Sequence, residues 1–204
     1  MTIQWQASRF VAHCESTPSF FAGLDVKLHA HSDNKLRLYQ SRSFRYLSIE
    51  EFNVKLPQTP LELIAGQLSW AHQNINNNLD FVPEDKLNWK PAPESKSVLE
   101  IINHATGTVN MMTTAIKGGE TTELAPATNR DEAKKLLTQV VQAHLNLIGS
   151  LQPSDLEKPV TLPFGEFPAG FVAGLPVVEC INHHGQITYI QSLLGDTESH
   201  LSME

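Results

Sequence analysis

A short segment near the carboxyl end of the chain combines residue types that can bind a metal ion. The segment ECINHHGQITYIQ runs from Glu179 to Gln191 and has the apolar pattern of an amphipathic helix. Residues four apart on a helix lie one turn apart on the same face. Glu179 and His183 therefore project together, a spacing that suits two ligands of one metal ion. His184 lies about 100° further round the helix, so we expect it to point elsewhere.

The neighbours of this pair have expected roles of their own. Gln186 continues the face of His183 and could orient a ligand from the next turn. His184 could pack against another helix, or it could hold a metal ligand through a hydrogen bond. Gly185 costs about 1 kcal/mol relative to alanine inside a helix. Such a glycine favours the close approach of a neighbouring helix or of a ligand.

Four amphipathic segments must position these side chains. Apolar residues recur with the 3.6-residue period of a helix, and capping boxes that begin at Thr59 and Ser97 mark two of the helix starts. The predicted helices span about residues 60–80, 97–117, 129–151 and 175–194, with a long proline-rich loop before the last of them. Helices of this length, roughly 30 Å each, predict an all-α fold, a four-helix bundle.

Each predicted helix carries a histidine near its middle: His72, His104, His144 and the pair His183 and His184. If neighbouring helices alternate in direction, these side chains lie at one height in the bundle. His104 flanks the apolar stripe of the second helix, where a side chain points between helices. For His72 and His144 the competing interpretation is an ordinary buried histidine with a hydrogen-bond partner.

Residues 1–49 differ from the rest of the chain. They are rich in serine, histidine and aromatic residues, and they show no sustained helical period. We predict an N-terminal extension, residues 1–49, that is poorly ordered or lies outside the working protein, followed by a helical domain, residues 50–204. A weak targeting peptide is a third interpretation, because the first 24 residues contain a single acidic side chain.

Charge and composition exclude several classes of protein. The charge balance is +3 over residues 1–49 and −10 over residues 50–204, so the acidic body would repel phosphate backbones, and no nucleic-acid partner is expected. No apolar run approaches the ~20 residues that cross a bilayer, and no secretory signal is visible. Two cysteines, Cys14 and Cys180, are too few for a disulfide framework. We therefore expect a cytoplasmic protein with reduced thiols.

Two motifs resemble the DinB-like (DinB/YfiT) superfamily of candidate metalloenzymes. The segment HHGQITYIQSLLGD is similar to the pattern of that family's last helix. The segment LNWKPAPESKSVLEIINHA is similar to the entry of its second helix, where Trp-x-Pro and a serine precede a helix with a metal-binding histidine. The resemblance covers about residues 58–196. It implies a four-helix bundle with an up-down-down-up order, in which case the equal-height argument fails and His72 and His144 are structural.

The resemblance also implies a divalent metal ion held by one residue of the second helix and two of the fourth. The matching positions are His104, Glu179 and His183, and Glu179 stands where the family usually has a histidine. Two histidines and a glutamate suit Zn²⁺, Ni²⁺, Fe²⁺ or Mn²⁺, and the carboxylate shifts the preference toward harder ions. Alternatively, Glu179 marks a site that has lost its metal.

The function that the resemblance implies is that of a metal-dependent enzyme acting on a small molecule. Characterised relatives include thiol-dependent transferases and isomerases, with low-molecular-weight thiols such as mycothiol or bacillithiol as cosubstrates, and hydrolysis is the close variant. The substrate would enter near Trp89 or near the aromatic loop at residues 164–171. Relatives often form homodimers, so a homodimer is expected here. The alternative function is a non-catalytic helical bundle that serves as a binding or dimerisation module.

A truncated chain that begins at Leu47 is expected to fold and to keep the melting temperature of the full-length chain. The reason is that none of the four predicted helices includes any of residues 1–46. Thermal unfolding followed by circular dichroism measures this. A clear fall in the melting temperature would show instead that the extension stabilises the bundle.

Overall fold

The computed structural model describes residues 57–202 and the backbone of three short strands that precede them. The chain divides into two units, residues 1–56 and 57–204. In the first unit, β1 (Lys27–Ala30), β2 (Leu36–Tyr39) and β3 (Arg45–Tyr46) form an antiparallel sheet in that order. The other residues of this unit lie outside the described residues. The predicted division at residue 49 and the predicted poor order of residues 1–49 therefore stay predictions.

The second unit is built from four helices, as the sequence predicts. They are α1 (Pro60–Phe81), α2 (Val98–Ile116), α3 (Arg130–Ser150) and α4 (Ala169–Leu193). The first three begin and end within one residue of the predicted positions, because each has a capping side chain that accepts a hydrogen bond from the first turn: Thr59, Ser97 and Asn129. None of the helices in the described part of the chain is long and apolar enough to cross a membrane.

The segment before α4 is more ordered than the predicted loop. An antiparallel hairpin of β4 (Pro159–Leu162) and β5 (Gly165–Pro168) occupies it, and α4 begins at Ala169 rather than near residue 175. Val160 and Leu162 point inward and pack in one apolar cluster with residues of α2 and α4. The sequence does not predict this helix start because Pro176 lies inside α4, and a proline normally interrupts a helix.

The core lies between the four helices, which form a ring in the order α1, α4, α2, α3. Fully buried aliphatic side chains from every helix meet there, among them Leu68, Ile75, Val109, Leu137 and Ile187. Each such side chain stabilises the fold by roughly 1.5–3 kcal/mol relative to leaving it exposed. In this ring α1 and α2 lie diagonally opposite each other, so α4 separates them on one side and α3 on the other.

Three contacts fix the directions of α4 and α3 relative to α1. A Cβ built on Gly174 of α4 would lie 3.8 Å from Ile64 Cδ1, and Gln191 Nε2 donates to the carbonyl of Asn78. In these two contacts the residue numbers of α1 and of α4 increase in the same direction, so α1 and α4 are parallel. Lys134 of α3 pairs with Asp80 near the end of α1, so α3 is antiparallel to α1.

The directions around α2 follow in the same way. His104 lies against His183, whereas Met112 packs in the cluster that contains Val172, so α2 and α4 are antiparallel. The side chain of Thr113 meets that of His144, and the start of α3 lies beside the start of α2. The order is therefore up-down-down-up, and the four helical histidines do not share one height.

A long connection makes the parallel arrangement of α2 and α3 possible. This strap, residues 117–129, runs back along α2 from its end to its beginning. Asn110 Nδ2 donates to the carbonyl of Thr122 (3.0 Å), and Asn103 exchanges two hydrogen bonds with the backbone of Ala127 (3.0 and 2.8 Å). Thirteen extended residues reach about 43 Å, which exceeds the roughly 28 Å length of α2.

His144 is a structural residue that lies beside the first turns of α4. Its buried ring donates from Nε2 to the carbonyl of Ala173 (3.0 Å), and Nδ1 meets the hydroxyl of Thr113 (2.8 Å). Pro176 removes a donor from this part of α4, and the imidazole adds a hydrogen bond at the neighbouring carbonyl of Ala173. Ala173 is ten residues from His183, which places His144 about 15 Å away along α4.

His144 should make the protein less stable as the pH falls. Burial lowers the pKa of His144 below its ordinary value of 6.5, and the charge of Lys117 lowers it further. Below about pH 6.5 the unfolded chain therefore binds a proton that the folded chain resists. The free energy of unfolding then falls by at most about 1.4 kcal/mol per pH unit from this group.

In His144→Gln this contribution is lost, so the difference in melting temperature between about pH 7.5 and about pH 5 should be smaller than in the wild type. Thermal unfolding of chelator-treated protein at the two pH values measures it. The matched control is His104→Gln, at an exposed imidazole. An unchanged pH dependence in His144→Gln would contradict the prediction.

Candidate metal centre

Three side chains from α2 and α4 converge where the two helices pack side by side. One ligand atom each of His104, Glu179 and His183 lies within 4.8 Å of the other two. The rings of the two histidines are perpendicular, with centroids 5.2 Å apart. Each ligand atom of a metal ion lies about 2 Å from it, so this cluster is compact enough to share one ion. Among the described residues it is the candidate metal site.

The three side chains differ in their exposure. His183 is 4% exposed and faces the bundle interior, Glu179 is half-buried, and His104 is exposed. This order of exposure follows from the helix packing, since the turn of α4 that carries Glu179 and His183 faces α2. One wall of the cluster is therefore protein interior, and the wall formed by His104 is open to solvent.

The proton on His183 is placed by Gln186. The Nδ1 atom of His183 lies 2.9 Å from Gln186 Oε1, and an amide oxygen only accepts, so Nδ1 carries the proton. In the neutral ring Nε2 then carries no proton and presents a lone pair. That atom is buried, has no hydrogen-bond partner, and lies 3.0 Å from the carboxylate of Glu179. Two acceptors at this distance repel each other unless a cation, either a proton or a metal ion, lies with them.

Glu179 has few other ways to balance its charge. Apart from histidine it is the single acidic or basic residue of α4, and its one ion-pair contact among the described residues is with His183. Cys180 next to it does not contribute a thiolate. Burial, together with the negative charge of Glu179, raises the pKa of the Cys180 thiol to about 12, so this cysteine packs as a small apolar residue.

A family model described as the DinB superfamily matches residues 67–187. The chain belongs to the DinB superfamily. All three residues of the cluster fall inside the matched range. A search of curated proteins gave no match.

Solved structures of other DinB-like proteins share the fold. A DinB-like protein from Bacillus subtilis aligns with a TM-score of 0.57 and 17% identity over 67% of this chain and 95% of its own. One from Bacillus cereus ATCC 10987 aligns with a TM-score of 0.55 and 16% identity over 65% and 91%. A conserved protein from Enterococcus faecalis gives 0.53 and 17% over 69% and 100%. At these identities the likeness concerns the fold alone.

A groove in this DinB-superfamily protein begins beside His104. It is about 430 Å³ in volume and runs over the exposed face of α2 under the strap. Asn103, His104, Gly107 and Asn110 line it from the helix, and residues 121–126 line it from the strap. The sequence suggested entrances near Trp89 and near residues 164–171, and neither of these lines the groove.

Apart from Gln186, the other predicted site residues lie away from the cluster. His184 turns toward α1, where Nε2 meets Asn78 Nδ2 at 3.0 Å and burial lowers its pKa. His72 is bonded to Thr138 of α3 and Asn76 of α1, and burial lowers its pKa also. Trp89 is partly buried against the core. The structure therefore brings Gln186 to the metal cluster, but not His72, His144 or Trp89.

A buried polar network beside His184 was not visible in the sequence. Asn78 bonds His184, donates to the carbonyl of Asn74 (2.8 Å), and receives at its own carbonyl a hydrogen bond from Gln191. Asn74 in turn accepts from the backbone of Ser202 (2.7 Å) and so fastens the segment after α4 to α1. The sequence NINNNLD looks like a solvated helix end, and only the tertiary fold shows that two of these asparagines are buried.

Gly185 is exposed and does not serve a close contact within the described residues. A Cβ built on it would meet no atom within 4 Å. The expectation of a neighbouring helix at this glycine is therefore not met inside the bundle, and the open space lies on the outer face of α4.

Proposed function

We propose that this protein is a metal-dependent enzyme whose ion is held by His104, Glu179 and His183. The observation that supports this best is the buried Nε2 of His183, which points without a hydrogen bond toward the carboxylate of Glu179. A buried nitrogen without a partner costs free energy, and a cation shared with the carboxylate removes that cost. Membership of a superfamily in which metal sites recur supports the same proposal.

The donor set fits a divalent ion of borderline hardness. Two imidazoles and one carboxylate suit Zn²⁺, Ni²⁺, Fe²⁺ or Mn²⁺. Relative to three histidines, the carboxylate of Glu179 neutralises one positive charge and favours the harder of these ions. Gln186 fixes the tautomer and the orientation of His183, a role that hydrogen-bonded partners commonly play for metal-binding histidines.

The reaction that we propose is transfer to or from a small molecule, with a low-molecular-weight thiol as cosubstrate. When bound, the ion supplies Lewis acidity that favours the thiolate form of a thiol near neutral pH. Three protein ligands leave positions for other molecules, and the exposed His104 is on the side from which they can arrive. Hydrolysis at the same site is the close variant. We also propose that the protein is cytoplasmic, because two cysteines are too few for a disulfide framework.

Metal content tests the proposal directly. Protein purified without a metal-affinity tag is expected to hold about one divalent ion per chain by elemental analysis. His104→Ala and His183→Ala should lose it, because each removes one of three ligands. Glu179→Gln should bind at least about tenfold more weakly, a loss of about 1.4 kcal/mol. Glu179→His, which restores the usual family residue, should retain the ion.

The matched control is His72→Ala, a half-buried histidine of α1 whose partners are on α1 and α3. Its metal content should equal that of the wild type. If the wild-type protein is folded but metal-free, and the ligand variants melt at the same temperature with and without added ions, then the protein is a non-catalytic helical bundle instead.

We further propose that the outer face of α4 forms a homodimer. Large apolar side chains are exposed along this face, with Val178 at 65% and Tyr189 at 63% exposed; the others are Phe171, Ile181 and Leu193. Gly185 leaves open space at its middle. A two-fold interface brings each patch against its own copy. Glu179 is the single charged residue of α4, so little like-charge repulsion opposes this contact.

Val178→Glu and Tyr189→Glu should convert the dimer to a monomer, because each variant places two like charges in the proposed interface. Light scattering after size-exclusion chromatography measures the mass. The control is Leu63→Glu, at an exposed leucine of α1, which should remain a dimer. A monomeric wild-type protein at high micromolar concentration would contradict the proposal.

A further inference from the structure

The groove beside His104 continues outward from the metal cluster. Hydrogen bonds seat the strap at two levels of α2, with Ala127 at Asn103 and Thr122 at Asn110. Thr122 is therefore about 9 Å along α2 from His104, at 1.5 Å per residue. Glu123 follows it and lines the groove. A molecule about seven bonds long, with one end at the cluster, therefore spans the distance to Glu123.

The lining of the groove has an unusual charge. Of its fourteen described residues, Glu123 is the single acidic one, and none is lysine or arginine. The remaining lining is neutral, with Met111, Leu124 and Leu136 as its larger apolar side chains. An anionic group that enters it meets no lysine or arginine among the lining residues, and the negative charge of Glu123 repels it. A cationic group would instead meet the carboxylate of Glu123.

The hydrogen-bonding groups of the groove also favour a donor. Asn110 uses its amide nitrogen on the strap, and its Oδ1 accepts no hydrogen bond from the described residues. The hydroxyl of Thr108 donates to a helix carbonyl, so its oxygen retains mainly the capacity to accept. Together with the Glu123 carboxylate, Asn110 and Thr108 give the groove three acceptors for a donating group.

We propose that this groove binds the organic substrate of the metal centre, and that the substrate is uncharged or carries an amino group opposite its reacting end. A thiol that bears carboxylates has no partner here, and an aminothiol has one at Glu123. The proposal rests on the proposed function for the role of the metal centre. The shape and the charge of the groove do not depend on it.

The test uses three thiols of equal length, in which seven bonds separate the sulfur from the polar end: 6-amino-1-hexanethiol, 6-mercapto-1-hexanol and 6-mercaptohexanoate. Each is titrated into the isotope-labelled full chain, both as purified and after chelation, and the amide signals of Asn110 and Thr122 are followed by NMR. The aminothiol is expected to bind most tightly and 6-mercaptohexanoate most weakly. The decisive quantity is how Glu123→Gln changes their relative affinities.

Glu123→Gln should weaken 6-amino-1-hexanethiol relative to 6-mercapto-1-hexanol by about two- to fivefold, the range of an exposed ion pair, and Glu123→Lys should favour 6-mercaptohexanoate. The matched control is Glu120→Gln, an exposed strap residue outside the groove lining. Gly107→Phe should abolish all three responses, since a Cβ there meets no atom within 4 Å and the ring would fill the groove. Gly66→Phe, at an equally open glycine of α1, should leave them unchanged.

Metal analysis of each variant separates the two proposals. If the protein binds its ion but Glu123→Gln leaves the affinity ratio unchanged, or no probe shifts Asn110 and Thr122, the groove inference is overturned and the metal centre stands. If the wild type holds no ion, the proposed function fails. The inference then stands only if chelated protein still prefers 6-amino-1-hexanethiol and loses that preference in Glu123→Gln.

Discussion

Two hydrogen bonds between Asn103 and Ala127 hold the end of the strap against the first turns of α2. They fix the point at which α3 begins, and α3 therefore runs in the same direction as α2. Two parallel helices cannot be joined by a short turn, so the connection has to return along the whole of α2. The ring order follows, with α1 diagonal to α2 and with α4 filling the place between them.

The position of α4 between α1 and α2 determines which residues it can contain. A helix that contacts both α1 and α2 is buried on a wide face, and α4 accordingly carries one charged residue among its 25. Glu179 stands at the edge of this face, half-buried and without a lysine or arginine partner among the described residues. Beside it lies a buried imidazole whose proton is held on the far side by Gln186. The helix therefore supplies an acceptor pair at its contact with α2, the pair that the proposed metal ion would bridge.

The sequence predicts the helices well where local chemistry marks them. Thr59, Ser97 and Asn129 each cap a helix, and all three helices begin within a residue of their predicted starts. The start of α4 was misplaced because Pro168 offers no capping side chain and Pro176 resembles a helix end. Here tertiary packing, including the hydrogen bond from His144 to Ala173, outweighs local propensity.

The cluster was predictable for a similar reason. The spacing of Glu179 and His183 lies within one helix, and the family motifs supply His104 as the partner across the bundle. The roles of His144, Asn78 and the strap depend on helix directions and on contacts between residues far apart in the chain. Helical periodicity carries no information about these, and the outer groove therefore appears only in the structure.

The pairing of α1 with α4 also sets the order in which the domain can form. A ribosome releases α1 first and α4 last, and roughly a hundred residues separate partners such as Asn78 and His184. Until α4 emerges, α1 and α2 each lack one of their two neighbours, and their apolar faces stay open to other chains. Contacts this distant in sequence also slow folding. The cluster of His104, Glu179 and His183, divided between α2 and α4, therefore forms in the final step of assembly and is absent from nascent chains that end before α4.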